Sequence, residues 1–493
     1  MGSVASEGGE MASRVPVLIV GAGAAGLATS ALLAKYGVRS MLIEKRREVF
    51  IYPKARNLSF RSLEILRGLG LSDQVHAVAD GVSGMVVKPT LNSVDQAPAM
   101  DIDAIFAPFV GLSPEPPAQY CPQSKLEPML LADTRRRGSE VRYGTELVSL
   151  EQDDAGVTVV VRERDSRSTE TVRAQYVVAA DGVHSPIREA LGVTTSGYGA
   201  LPIFIVFVYF KAPWRRFVPD LLDGDGVQVK NPDVDGIFLV AQGDLGMFIT
   251  TYLPGEGETA EQFTAERCVE LLTEAIGEPI DIDVIEIAPW QPYERVADQF
   301  ACGRVFFVGD AAHSTYHAER HPVGRFNARQ SLTGPTLALI RLDDDRPQLP
   351  PEEEAPMFAL LAGYQYHSAA VISGAPAPAD PGAVSLVDEL RGQPGTRVPH
   401  VWVRDGVSTL DLLGPGFTVL ATDGRWCAAA ASVSLAAHRI DSHEWATITG
   451  LAPDGALLVR PDGFVGWRAE TLPTDPESEL RRALSTILGR PRA

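Results

Sequence analysis

Val15-Pro-Val-Leu-Ile-Val20 runs straight into Gly21-Ala22-Gly23-Ala24-Ala25-Gly26, and a second apolar run, Val38–Ile43, ends at Glu44. The first run predicts a short buried strand. Ala24–Tyr36 is rich in helix formers, and Gly37 after it suits a helix C-terminus. Strand, helix and strand within about 30 residues make a βαβ unit with a right-handed crossover between parallel strands. The glycines have separate tasks. Gly21 permits the tight turn, Gly23 lets backbone approach a pyrophosphate, and Gly26 lets helix and strand pack closely. The helix start, Ala24 and Ala25 included, offers free N–H groups and a positive dipole end to phosphates. Glu44 lies eighteen residues after Gly26, where a carboxylate can accept from adenosine ribose hydroxyls. Lys45 and Arg46 follow it and join the candidate cofactor-binding residues. A bare G-x-G-x-x-G is a weak signal, but here every flanking element is in register.

The 493-residue chain is long enough for two to four domains. Its formal charge is −19, with the acidic residues dispersed. That surface argues against nucleic acid and against anionic membranes. The four cysteines, Cys121, Cys268, Cys302 and Cys427, form no CxxC pair. They give neither a disulfide framework nor zinc spacing, so no metal is expected and a cytoplasmic location fits. No apolar run reaches membrane-span length. The first residues show no signal-peptide pattern.

Helices are expected at Phe60–Leu69, Leu126–Arg137, Thr264–Ile276 and Pro476–Leu488. Glu146–Arg162 and Glu170–Ala180 alternate like antiparallel strands across a polar turn. Pro202–Lys211 and Val227–Leu253 suggest a mostly antiparallel sheet inserted in the nucleotide-binding domain. The Pro- and acid-rich stretch 343–356 and the Pro- and Ala-rich stretch 373–382 look like linkers.

Two later motifs share a design. Tyr176-Val-Val-Ala-Ala-Asp181-Gly182 and Gly303-Arg-Val-Phe-Phe-Val-Gly309-Asp310-Ala-Ala-His313 are both apolar strands ending at an acid beside glycine. A carboxylate there can hold a sugar hydroxyl. Each alone is also an ordinary strand-to-helix turn.

In order and spacing the three motifs together resemble the aromatic-ring flavoprotein hydroxylases, the class built like p-hydroxybenzoate hydroxylase. Within it, the chain is most similar to the bacterial aromatic polyketide hydroxylases. Thr315-Tyr-His-Ala-Glu-Arg320 and Pro394-Gly-Thr-Arg-Val-Pro-His400 share in the likeness. The resemblance implies FAD as cofactor and NADPH or NADH as a transient co-substrate. It places Asp181-Gly182 near the pyrophosphate and Gly309-Asp310 at the flavin ribityl chain. Arg56, in Lys54-Ala55-Arg56, and Gln123, in Cys-Pro-Gln-Ser-Lys-Leu-Glu, resemble family FAD contacts. The implied fold is α/β: a Rossmann-type FAD-binding domain, an inserted mostly antiparallel substrate sheet, and a thioredoxin-like C-terminal domain. The expected ranges are 14–78, 108–196 and 291–375 for the first, 79–107 and 197–290 for the second, and 390–493 for the third. Without CxxC the last does no dithiol chemistry.

The pattern breaks once. The family continues after Gly-Asp-Ala-Ala-His with a Pro- and Gly-rich loop and a long helix. Here His313 runs directly into Ser314 and the later family motif. We expect the segment to be omitted from the sequence rather than truly lost.

The resemblance implies a monooxygenase that hydroxylates a bulky polyketide-type small molecule, acting as a monomer or homodimer. No residue stands out as a catalytic base. Candidates for an apolar substrate pocket are Phe204, Phe207, Tyr209, Phe248 and Trp290, each of which could equally be core. Two alternatives stand beside this reading. Flavin-dependent dialkyldecalin synthases resemble these hydroxylases yet perform a non-redox [4+2] cyclisation, needing only shape and proximity. A true loss of the missing segment would leave a flavin-free binding scaffold.

Overall fold

The computed structural model describes residues 13–49, 57–78, 85–98, 102–221, 225–311, 317–331, 341–342, 348–374, 378 and 383–489. These fall into two compact units. One takes its residues from 1–54, 123–195 and 297–321, the other from 55–122, 196–296 and 322–493. The division differs from the expected ranges. The described residues of 57–122 group with the inserted sheet and the C-terminal region, not with the nucleotide-binding strands.

In the first unit, β1 (Ser13–Val20) and β2 (Ser40–Glu44) are parallel neighbours joined through α1 (Ala24–Lys35). Leu18, Ile19, Leu27 and Leu42 are fully buried. That explains the continuous apolar runs, since a parallel strand of this kind is covered on both faces. On its other side β1 pairs in parallel with Thr169–Ala179, which in turn pairs in parallel with Val305–Phe307. Glu140–Tyr143 adds in parallel beyond β2.

One expected strand is two. The run Glu146–Arg162 folds into Thr145–Asp153 and Gly156–Glu163, paired antiparallel. Asp153 Oδ1 closes the turn, accepting from Ala155 N and Gly156 N at 2.8 and 2.9 Å. A two-residue turn barely interrupts period-2 alternation, so the pattern hid it.

The second unit holds a seven-stranded sheet. Its order is Asp283–Trp290, Ile205–Lys211, Leu245–Thr251, Asp235–Gln242, Gly226–Lys230, Val86–Lys88 and Ala97–Pro98. All pairs are antiparallel except Gly226–Lys230 with Val86–Lys88. Thr264 caps the helix Ala265–Ile276, its hydroxyl accepting from Arg267 N at 3.2 Å. Leu271, Leu272 and Ile276 of that helix share a core with Val206, Val208 and Phe210 of the sheet.

The C-terminal region has its own sheet, in the order Ala436–Arg439, Thr418–Ala421, Ala456–Val459 and Val465–Ala469. The first pair is parallel and the others antiparallel. Helices Gly424–Ser432, His443–Thr449 and Pro476–Ile487 accompany it. Separate apolar clusters around Trp426 and Trp445 form its core. Among the described residues, no helix is long and apolar enough to cross a membrane, and no group of three His, Cys, Asp or Glu could hold a metal.

Candidate functional site

The strand register of the first unit brings the three motifs to one edge. Val20 lies opposite Ala179, and Ala179 opposite Phe307. Each strand therefore ends level with its neighbour. Ala180 N donates to Val20 O at 2.8 Å, and Val308 N to Ala179 O at 2.9 Å. Gly21, Asp181 and Gly309-Asp310 emerge side by side at the carboxyl end of a parallel sheet, where such sheets bind ligands.

The glycines of the first turn separate by what surrounds them. Gly21 has φ +109°, and a Cβ there would stand 2.2 Å from Ala180 O. A Cβ on Gly26 would stand 1.9 Å from Gly21 O. Both are glycine because the fold itself leaves no room. Gly23 is different, because a Cβ there would meet nothing nearer than Glu127 Oε1 at 3.7 Å. Its bareness serves no packing need among the described residues, so it keeps open a cradle that a side chain would fill. The first turn of α1 also leaves the amides of Gly23, Ala25 and Gly26 without intrahelical acceptors. Open space, outward amides and a helix dipole at one point fit the pyrophosphate of a dinucleotide.

Glu44 is buried at the end of β2. Its Oε2 accepts from Ala22 N at 2.8 Å and its Oε1 from Arg46 N at 2.9 Å. The carboxylate thus braces the glycine turn while each oxygen keeps a lone pair for a ribose hydroxyl. Lys45 and Arg46 are exposed beside it.

Gln123 begins the helix Gln123–Arg136, and its Nε2 donates to Glu127 Oε1 at 2.5 Å. Glu127 is 2% exposed and also accepts from the Ala24 backbone. Burial raises its pKa above the usual carboxylate range. The sequence reading missed Glu127, although its i, i+4 spacing from Gln123 was a usable signal. It also missed Tyr143, which lies opposite Glu44 across the β2 edge. The Tyr143 hydroxyl is buried with no partner among the described residues. Burial, then Glu44 and Glu127, push it up to about 12.

The two motif aspartates diverge. Asp181 turns inward. Its Oδ1 accepts from Ser185 Oγ at 2.7 Å and its Oδ2 from Ile187 N at 3.1 Å. It thereby builds the turn into the helix Pro186–Ala190, with both oxygens already engaged. Asp310 is exposed in a single turn, Gly309–Ala311, and its carboxylate has no partner among the described residues. Arg56 and the His313–Ser314 junction lie outside the described residues.

The aromatic candidates also divide. Phe248 lies fully buried in the core against the helix Ala265–Ile276, so it is no pocket residue. Phe204 meets Tyr252 in a tilted ring contact, centroids 5.3 Å apart, and Tyr252 packs against that same core. Phe207 and Tyr209 alternate to the opposite face, as the pleat requires. There Phe207 meets Trp290 with ring centroids 6.0 Å apart, and Trp290 is 49% exposed. Aromatic content alone does not say which face of a strand is covered, so the sequence does not separate Phe248 in the core from Phe207 on the other face.

An FAD binding domain model matches residues 14–318, and an aromatic-ring hydroxylase C-terminal model matches 391–491. The chain belongs to the FAD-dependent aromatic-ring hydroxylases of the aromatic polyketide type. It is 34% identical to a tetracenomycin A2 monooxygenase-dioxygenase of Streptomyces glaucescens, covering 97% of each chain. It is 33% identical to an aklavinone 12-hydroxylase of Streptomyces purpurascens, covering 97% of this chain and 99% of that one. A crystal structure of aklavinone-11 hydroxylase with FAD and aklavinone superposes with TM-score 0.82 at 29% identity, over 97% of this chain and 99% of that one. The first alignment runs over 560 positions against 493 residues here, so that relative has stretches without a counterpart in this sequence.

Proposed function

We propose that this protein is an FAD-dependent monooxygenase that hydroxylates a bulky aromatic polyketide, with NADPH or NADH as a transient reductant. The observation that carries the reading is the bare Gly23 turn, set where three strand-end motifs meet. A relative named as a putative polyketide hydroxylase, 33% identical over 99% of this chain, supports the substrate class. FAD, when bound, supplies the activation and transfer of oxygen.

The chain's own residues bind and orient. The amides of Gly23, Ala25 and Gly26 meet the pyrophosphate charge. Glu44 accepts from a ribose hydroxyl. Asp310, with an unengaged carboxylate, accepts from the ribityl chain. Phe207 and Trp290 offer an apolar aromatic surface to a flat ring system. Asp181 has a positioning role, fixing the turn beside the cradle through Ser185 and Ile187. The protein works in the cytoplasm as a monomer or homodimer.

The test is NAD(P)H oxidation by purified holoprotein with aromatic polyketides and isotopically labelled O2. Substrate-stimulated oxidation with label in the product is the expected result. Ring closure without NAD(P)H would replace the reading with the cyclase. A colourless protein that takes up no FAD would replace it with a binding scaffold.

A further inference from the structure

Helix α1 starts without a cap of its own. Its N-cap is Gly23, which has no side chain, and its first turn carries no acidic residue. Glu127, from the helix Gln123–Arg136, fills that role from outside. Its carboxylate accepts from Ala24 N–H and from Gln123 Nε2, the latter at 2.5 Å. One side chain thereby ties together the first amide of α1 and a glutamine that the family likeness puts against FAD.

This has two effects. Of the four amides of the first turn, the one on Ala24 is taken, which leaves those of Gly23, Ala25 and Gly26 for a ligand. Gln123 is also held in one orientation rather than free to sample rotamers. A charge on Glu127 would work against the site, because a carboxylate beside a pyrophosphate repels it. Glu44 already adds one negative group nearby, and Arg46 offsets part of the charge on Glu127. Burial of Glu127 pushes in the same direction, toward the neutral form.

We infer that Glu127 is a positioning residue for FAD, acting through hydrogen bonds to Gln123 and Ala24 rather than through charge. The inference rests on the FAD reading above. Its test is the Kd of the apoprotein for FAD, read by flavin fluorescence, with the melting temperature of each apoprotein measured alongside.

Glu127→Ala is expected to loosen FAD roughly tenfold, the scale of one lost hydrogen-bonded anchor. Gln123→Ala should do the same, and the double variant should be no worse than either single. Glu127→Gln keeps a carbonyl oxygen whose two lone pairs can accept from both Gln123 Nε2 and Ala24 N–H, so it should bind FAD within about twofold of wild type. Wild-type affinity in Glu127→Ala, additive losses in the double variant, or Glu127→Gln as loose as Glu127→Ala would each overturn the inference. If Glu127→Ala fails to fold, Glu127→Gln alone decides, since a tenfold loss there means the charge is needed. A wild-type apoprotein that takes up no FAD would instead overturn the FAD reading itself.

Discussion

Arg397 and Glu64, 333 positions apart, form a buried ion pair: Arg397 Nε lies 3.2 Å from Glu64 Oε2, and Nη2 binds Oε1. The Arg397 Nη1 donates to Leu112 O at 3.0 Å, and the guanidinium lies over the Phe60 ring. Glu64 sits on α2 (Phe60–Leu69) and also accepts from Ser113 Oγ at 2.7 Å. Burial, then Arg61, pull the Arg397 guanidinium down to about 9, which still leaves it charged at neutral pH. Arg397 belongs to the stretch Pro394–His400 that carries part of the family likeness. Its role here is to anchor the C-terminal region to α2. Arg397→Met leaves Glu64 only Arg61 and Ser113 as partners and should cost about 2–3 kcal/mol in denaturant unfolding. Glu64→Leu with Arg397→Met should regain part of that loss. A single-variant cost below about 1 kcal/mol would mean that the pair anchors nothing.

The same contact shapes what truncation does. A chain ending before Gly395 loses Arg397 and exposes Glu64 and Phe60, so it should aggregate rather than yield a folded flavoprotein. Cys427 should not matter to activity. It lies half-buried on the helix Gly424–Ser432, and burial raises its thiol pKa, which keeps it protonated and unreactive at neutral pH. Cys427→Ser should retain FAD and turnover at wild-type levels. A folded, yellow, inactive Cys427→Ser would sink this.

Gly23 and Gly26 should fail in different ways. Valine at 23 meets no protein atom closer than Glu127 Oε1 at 3.7 Å from its Cβ, so the apoprotein should fold and melt near wild type. It should elute colourless from gel filtration, because the side chain fills the pyrophosphate cradle. Valine at 26 drives a Cβ to 1.9 Å from Gly21 O, which the turn cannot absorb. That variant should be insoluble or melt far lower. A stoichiometrically yellow Gly23→Val would end the cofactor assignment.

The nucleotide-binding half was legible because its signals are local. Apolar runs, a glycine turn and an acid at a strand end all lie within a short window, and the strand order carries them to one edge. What was hidden is non-local. Glu127 reads as an ordinary helix glutamate until α1 is packed against it. Asp181 and Asp310 look alike in sequence, and only the Ser185 and Ile187 contacts show that Asp181 faces its own turn. The Arg397 partner lies hundreds of positions away. Phe207 and Phe248 differ only in which face of the sheet the helix Ala265–Ile276 covers.

Asp310 and Asp181 offer a direct comparison. Asp310→Ala removes a carboxylate with no partner in the described protein, so folding stability should hold. Its FAD affinity should fall roughly tenfold for one lost hydrogen bond to a bound hydroxyl. Asp181→Ala strips two acceptors from the turn into Pro186–Ala190 and should lower the melting temperature of the apoprotein. Equal FAD affinity in Asp310→Ala and wild type would leave Gly309-Asp310 as a turn and nothing more.

His400 gives the C-terminal region a pH dependence of its own. It is 7% exposed, its Nδ1 lies 2.7 Å from Ser408 Oγ, and its ring packs edge-on against Trp402. Burial first, then Arg397 and Arg67, push it down to about 4, with Asp411 opposing. In the unfolded chain a histidine titrates near 6.5. The folded state therefore prefers the neutral ring, and between pH 6.5 and pH 4 the unfolded chain binds the extra proton. Stability from this group is fully present above about 6.5 and is lost as pH falls toward 4, by about 3 kcal/mol at most and about 2 kcal/mol at pH 5. Urea unfolding at pH 7 and pH 5 measures it. His400→Gln keeps a hydrogen-bonding group but does not titrate, so it should be less stable at pH 7 yet show a drop to pH 5 smaller by about 2 kcal/mol. An identical drop in both proteins would mean that the native fold opens to let the ring protonate, and that Arg397 and Arg67 do not hold it neutral.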